Sequence, residues 1–209
     1  MDFILHIDKY LAHLVSQYHA LTYLILFAFI FVETGLVVMP FVPGDSLLFA
    51  AGSLIAAGNT GLSIYLLAAI LIVAAFTGNT VNYFIGKYTG PKVFKKENKI
   101  LKLEYYERTK AFFDKHGGKA VIISRFVPII RTIAPFFAGI SKMPFASFSV
   151  YNFIGGLSWV VCLLSIGYFF GNIPFIKNNF SIAVLVIVLV SLIPSIYTAI
   201  KGYKKRSGH

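Results

Sequence analysis

Phe180 to Ile200 is an unbroken run of 21 uncharged residues, with Pro194 as its one strong helix breaker. A run of that length must either be buried whole or cross something apolar. At 1.5 Å per residue, an α-helix over it extends roughly 30 Å, the thickness of a bilayer's hydrocarbon core. Phe145–Phe170, Leu62–Gly86 and Leu21–Val38 are three further apolar runs. Leu62–Gly86 carries Thr77, Asn79, Thr80 and Asn82, and Leu21–Val38 carries Glu33. Only 13% of the 209 residues are charged and 57% are hydrophobic. That is about half the charged share of a soluble domain, too little to cover a soluble surface. The composition therefore predicts one all-α polytopic membrane domain, with no second globular unit.

Two other apolar stretches have a different grammar. Phe41–Ala57 opens on Pro43-Gly44-Asp45, and Ala120–Ile140 holds Pro128, Pro135, Gly139, Arg125 and Arg131. Proline and glycine at this density oppose a straight spanning helix. They suit re-entrant helical hairpins, whose broken backbone is tolerated only inside protein or beside a wet cavity. Between these stretches, Lys87–Lys119 is polar, with ten Lys or Arg against four acids. Leu101, Tyr105 and Phe112 recur there near helical spacing, which predicts a cytoplasmic amphipathic helix on the membrane surface.

The formal charge of +11 points to lipid headgroups and membrane orientation, not to nucleic acid, because the basic residues sit between and after the apolar runs. The basic loop and the tail with Lys201, Lys204, Lys205 and Arg206 are expected in the cytoplasm. Counting backwards through about four full spans and two re-entrant stretches also puts the amino terminus there. The expected divisions of the single domain, 1–209, are a surface helix (1–20), a first half (21–86), the basic loop (87–119), a second half (120–171), a C-terminal span (180–200) and a basic tail (201–209). No basic segment with a following cleavage site opens the chain, so no removed signal peptide is expected. Cys162 lies in an apolar run, and packing is its expected role. The five histidines all lie outside the long apolar runs, so neither a metal nor another cofactor is expected.

Two short matches share one offset of 85 residues. Phe41-Val42-Pro43 pairs with Phe126-Val127-Pro128, and Tyr83-Phe84-Ile85-Gly86 pairs with Tyr168-Phe169-Phe170-Gly171. They predict an inverted repeat, each unit a re-entrant hairpin plus a transmembrane helix, entering from opposite sides. Transporters of that design bind substrate where the repeats meet. The segments Gly86 to Gly90 and Gly167 to Gly171 have the spacing of close helix contacts. Asn79, Asn82 and Asn152 are expected to bond neighbouring helices, and Trp159 is expected in the core.

Four charges stand in apolar sequence: Glu33, Asp45, Arg125 and Arg131. Each costs roughly 2.5–3.5 kcal/mol at the centre of a membrane helix, so each needs a partner or a task. They can form structural salt bridges that dock the hairpins. Alternatively, Arg125 and Arg131 bind an anionic headgroup through planar forks that match phosphate oxygens. Glu33 and Asp45, which can gain and lose protons, then couple or gate the cycle. An enzyme such as a lipid phosphatase would want a nucleophile with a base, commonly histidine. None accompanies the arginines, and Ser124 lacks an obvious base, so no catalysis is expected.

The ordered motifs Glu33-Thr34-Gly35, Phe41-Val42-Pro43-Gly44-Asp45-Ser46, Gly78-Asn79 with Tyr83 and Gly86, and Arg125-Phe126-Val127-Pro128 through Arg131-Thr132 resemble the DedA family, the SNARE-associated or VTT-domain membrane proteins. The resemblance runs from about residue 20 to 200 and includes Ala138-Gly139, Asn152 and Trp159. It implies lipid transport in the bacterial cytoplasmic membrane: movement of undecaprenyl phosphate from the outer to the inner leaflet, driven by the proton motive force. It implies Glu33, Asp45, Arg125 and Arg131 as the essential positions, with Ser46, Asn79 and Asn152 as secondary candidates. The expected partners are that lipid or a related anionic one, protons and membrane lipids, and a homo-oligomer is compatible with the sequence. A general phospholipid scramblase and a proton-coupled exporter of small solutes or ions are the alternatives.

Overall fold

The computed structural model describes residues 19–36, 44–56, 58, 61–90, 103–127, 130–171 and 173. Its regular structure is helical: α1 (His19–Gly35), α2 (Gly44–Ala56), α3 (Ile64–Thr89), α4 (Leu103–His116), a 3₁₀ turn (Gly117–Lys119), α5 (Ala120–Ser124), α6 (Ile130–Ile140) and α7 (Phe145–Gly171). Phe41–Pro43, Pro128, most of the 1–20 segment, residues 91–102, the Phe180–Ile200 span and the basic tail lie outside the described residues.

Among the described residues, α3 (26 residues) and α7 (27 residues) are long and apolar enough to cross a membrane. Their bounds match the expected Leu62–Gly86 and Phe145–Phe170 runs to within three residues. Val73, Val81 and Ile85 on α3, and Val150, Phe153, Leu157, Val161 and Phe169 on α7, are exposed. So many outward apolar side chains call for an apolar surrounding medium. Cys162 belongs to the same outward set and is exposed on α7, so the packing expected of it is not against the protein core. An apolar run does not say whether a residue meets protein or lipid.

The Ala120–Ile140 stretch is broken, as its composition predicts. The N–H groups of Arg125, Phe126 and Val127 bond the carbonyls of Ile122, Ile123 and Ser124 at 3.3, 3.1 and 2.9 Å. These i to i−3 bonds tighten the last turn of α5 and end it. The chain resumes as α6, which contains Pro135. Within the basic loop, a helix is present as α4.

The described residues fall into two compact units. The first takes its residues from 1–26, 43–68 and 161–209. Here α2 packs on the end of α7 with almost no space between the backbones. A methyl at Gly52 would overlap the Leu164 carbonyl oxygen, and one at Gly167 would overlap that of Phe49. Ser53 Oγ donates to the Gly167 carbonyl at 2.8 Å, a bond that only such an approach allows.

The second unit takes its residues from 27–42 and 69–160 and repeats the device with other helices. A methyl at Gly86 on α3 would overlap the Phe136 carbonyl oxygen of α6, and one at Gly139 would overlap that of Tyr83. Of the four glycines with contact spacing, Gly90 does not fit that expectation. It has φ +73° and open space around it, and its N–H bonds the Gly86 carbonyl at 3.0 Å. It ends α3, a left-handed position that suits glycine. Tyr83, Val121, Ala138 and Phe148 form the core of this unit. The Tyr83 and Phe148 rings stack at 4.5 Å, and Tyr83 Oη donates to the Met143 carbonyl at 2.5 Å. Phe113 seats α4 against α6 through Phe137, with ring centroids 5.0 Å apart.

Candidate functional site

Buried polar residues gather in the second unit. Glu33 near the end of α1 is 2% exposed, and Arg125 in the turn after α5 is 6% exposed. Arg131 stands in the first turn of α6, Asn79 and Asn82 on α3, and Asn152 and Trp159 on α7. The Arg131 Nη2 group donates to Glu33 Oε1, forming an ion pair. Asn82 Nδ2 donates to the Thr34 carbonyl at 3.2 Å and to the Thr132 carbonyl at 2.9 Å, tying α3 to both helices that carry the pair.

Arg125 is held differently. Its Nη2 donates to Asn152 Oδ1 at 2.7 Å and to the Ala75 carbonyl at 3.2 Å. Asn152 Nδ2 in turn donates to the Phe76 carbonyl at 3.0 Å. One orientation of the Asn79 amide donates to Asn152 Oδ1 at 3.0 Å. The opposite one accepts from Arg125 Nη2 at 2.8 Å and donates to the Thr34 carbonyl at 3.2 Å. Two bonds against one favour the second. Either way, Arg125 is surrounded by neutral oxygens, and no described carboxylate pairs with it. An isolated buried charge is costly, and three amide or peptide dipoles offset only part of that cost.

Glu33, Thr34, Asn79, Arg125, Arg131, Thr132 and Trp159 line one small cavity of about 10 Å³. That is room for roughly one water and far too little for a phosphate group. Glu33 Oε2 and Arg125 Nε are buried here without a hydrogen-bond partner. Among the described residues lining the cavity there are two guanidiniums and one carboxylate, with Arg125 Nε and Glu33 Oε2 unused. Chemically, it is a closed polar pocket in which one arginine, Arg131, is already paired with an internal carboxylate.

Five of the residues singled out in the sequence, Glu33, Arg125, Arg131, Asn79 and Asn152, meet in this cluster. Asp45 and Ser46 belong to the first unit, in the first turn of α2. There Asp45 faces the favourable positive end of the helix dipole, and Ser46 is buried.

Trp159 is buried, as expected of a core residue, but sequence reasoning missed that both guanidiniums lie over its ring, and it missed the pair Gly155-Gly156. A methyl at Gly155 would come within 3.4 Å of Arg125 Cγ, and one at Gly156 within 3.4 Å of its Nη2. The signal was present in the spacing. Asn152, Gly155, Gly156 and Trp159 stand at i, i+3, i+4 and i+7, one face of a helix. That face cups Arg125.

Long apolar helices with a buried arginine and carboxylate cluster define an all-helical membrane protein. Residues 42–169 match the VTT domain. The chain is 46% identical to Protein DedA of Escherichia coli (strain K12) over 202 residues, covering 96% of this chain and 92% of that one. It is 40% identical over 178 residues to an uncharacterized membrane protein of Mycobacterium tuberculosis (strain ATCC 25618 / H37Rv), covering 85% and 78%. It is 39% identical over 168 residues to Inner membrane protein YghB of Escherichia coli (strain K12), covering 80% and 74%. No solved structure matches the chain. The chain belongs to the DedA family of VTT-domain membrane proteins.

Proposed function

We propose that this protein translocates an anionic, phosphate-bearing lipid across the membrane. On the family resemblance the lipid is undecaprenyl phosphate, moving from the outer to the inner leaflet with uptake of protons. The observation that carries the reading is Arg125, a buried guanidinium with only neutral oxygens around it among the described residues. Such a charge suits a site that completes its neutralisation with a ligand. Phosphate oxygens would take up the unused Arg125 Nε and displace Glu33 from Arg131. Glu33, released into an apolar site, would accept a proton, which couples lipid entry to proton uptake. The polyprenyl chain stays in the bilayer, so only the headgroup needs the clamp.

The two units use one device, a short helix held by glycine contacts on a long helix from the other half of the sequence. This supports reading α2 and α6 as the returning arms of re-entrant hairpins in an inverted repeat. Asp45, at the start of α2, is the equivalent acid of the first hairpin and the second candidate for proton uptake. A transporter is favoured over a phosphatase because Ser124, the hydroxyl beside Arg125 in sequence, donates to the Val121 carbonyl of its own helix at 2.9 Å.

The test is transport of undecaprenyl phosphate in reconstituted vesicles. Arg125→Ala and Arg131→Ala are each expected to reduce it to the protein-free rate. Wild-type rates in both variants would refute the clamp.

A further inference from the structure

We propose that Trp159 is a positioning residue for the anion, its indole serving as one platform for both guanidiniums. The inference rests on the phosphate-clamp reading above and adds a residue that the clamp needs. Arg125 Cζ lies 5.7 Å from the ring centroid and Arg131 Cζ lies 5.5 Å from it. Both are inside the ~6 Å reach of cation–π attraction. The ring is 3% exposed, so water screens neither contact.

The choice of an aromatic group has a chemical reason. Two guanidiniums aimed at one ligand repel each other in a site with little water. A second carboxylate would hold them together, but it would also cancel the charge that the ligand must find. The indole face attracts both cations while carrying no charge. It therefore fixes their spacing without competing for their N–H donors. Gly155 and Gly156, one turn before Trp159 on the same face of α7, let Arg125 lie along the α7 backbone, where an added methyl would touch it at 3.4 Å. The indole sets where the clamp stands, and the phosphate contacts only the arginines.

The experiment uses the full chain in dodecyl maltoside micelles, with dodecyl phosphate as the probe. Binding is measured by titration calorimetry and stability by thermal melting. Trp159→Phe, which keeps a weaker π-face, is expected to bind the probe about 3-fold more weakly, and Trp159→Leu at least about 10-fold more weakly. The two variants are expected to melt within a few degrees of each other, so affinity follows the π-face and not packing. Trp159 is the one tryptophan in the chain, so the unaltered protein supplies a second reading that needs no variant. Its emission is expected to change saturably with dodecyl phosphate and to ignore uncharged dodecanol. Probe binding within 2-fold of wild type in Trp159→Leu would overturn the proposal. So would equal losses of affinity in the Phe and Leu variants that track a shared fall in melting temperature, or emission that stays constant while calorimetry records binding. If the unaltered protein binds no dodecyl phosphate by calorimetry, the clamp reading itself fails and the platform fails with it.

Discussion

Asn152→Asp is expected to slow lipid translocation about 10- to 100-fold, because it turns the neutral cage around Arg125 into an ion pair. The Asn152 oxygen is already 2.7 Å from Arg125 Nη2, so a carboxylate there needs no rearrangement to meet the guanidinium. Phosphate would then have to displace a built-in anion at both arginines, not only at Arg131. The effect on stability is smaller because two changes oppose each other. The Phe76 carbonyl loses the donor that Asn152 Nδ2 supplies at 3.0 Å, while the buried guanidinium gains a counter-ion. Melting of the purified variant is expected within a few degrees of the unaltered chain. A variant that is folded and transports at the wild-type rate would show that the uncancelled charge of Arg125 is not used.

Gly86→Val is expected to destabilise the fold severely. Its first added carbon would already overlap the Phe136 carbonyl oxygen, with the Phe136 carbonyl carbon at 2.8 Å and Cα at 3.0 Å. These are backbone atoms inside α6, so relief requires moving the whole short helix away from α3. Overpacking of this kind costs about 3 kcal/mol or more, a fall of roughly 6–12 °C in melting temperature for a chain of this size. Gly90→Ala is the control. Open space surrounds that position, and only the left-handed backbone opposes the substitution, at about 1 kcal/mol. Thermal melting of both proteins in detergent makes the comparison. Equal melting temperatures would mean that α6 does not sit on α3 as described.

The features legible in the sequence are those with a local cause. Length and apolarity located α3 and α7, and the crowding of proline and glycine between Ala120 and Ile140 foretold the break at Arg125. Charge in apolar surroundings marked Glu33, Arg125 and Arg131. What could not be read is which acid meets which arginine. Residues 33 and 131 are 98 positions apart, and helical periodicity names the buried face of each helix without naming its partner. The neutral cage of Arg125 was hidden for the same reason, since Asn79 and Asn152 look like any packing amides until α3 and α7 stand side by side. Trp159 was hidden by its own apolarity, because an indole within a long hydrophobic run gives no sign that cations lie against it.

The neutral surroundings of Arg125 have an electrical consequence as well as a chemical one. A charge that no carboxylate among the described residues pairs with responds to the membrane potential, at about 2.3 kcal/mol per elementary charge for each 100 mV fully crossed. On the proposed cycle a phosphate dianion binds while Glu33 takes up a proton, and that excess vanishes. Empty and loaded conformations of the proposed carrier would then differ in how voltage acts on them, and the return of the empty carrier would be the electrogenic limb of that cycle. With the pH equal on both sides, reversing the potential across reconstituted vesicles is expected to change the translocation rate. An identical rate at both polarities would mean that the charge at Arg125 does not move through the field.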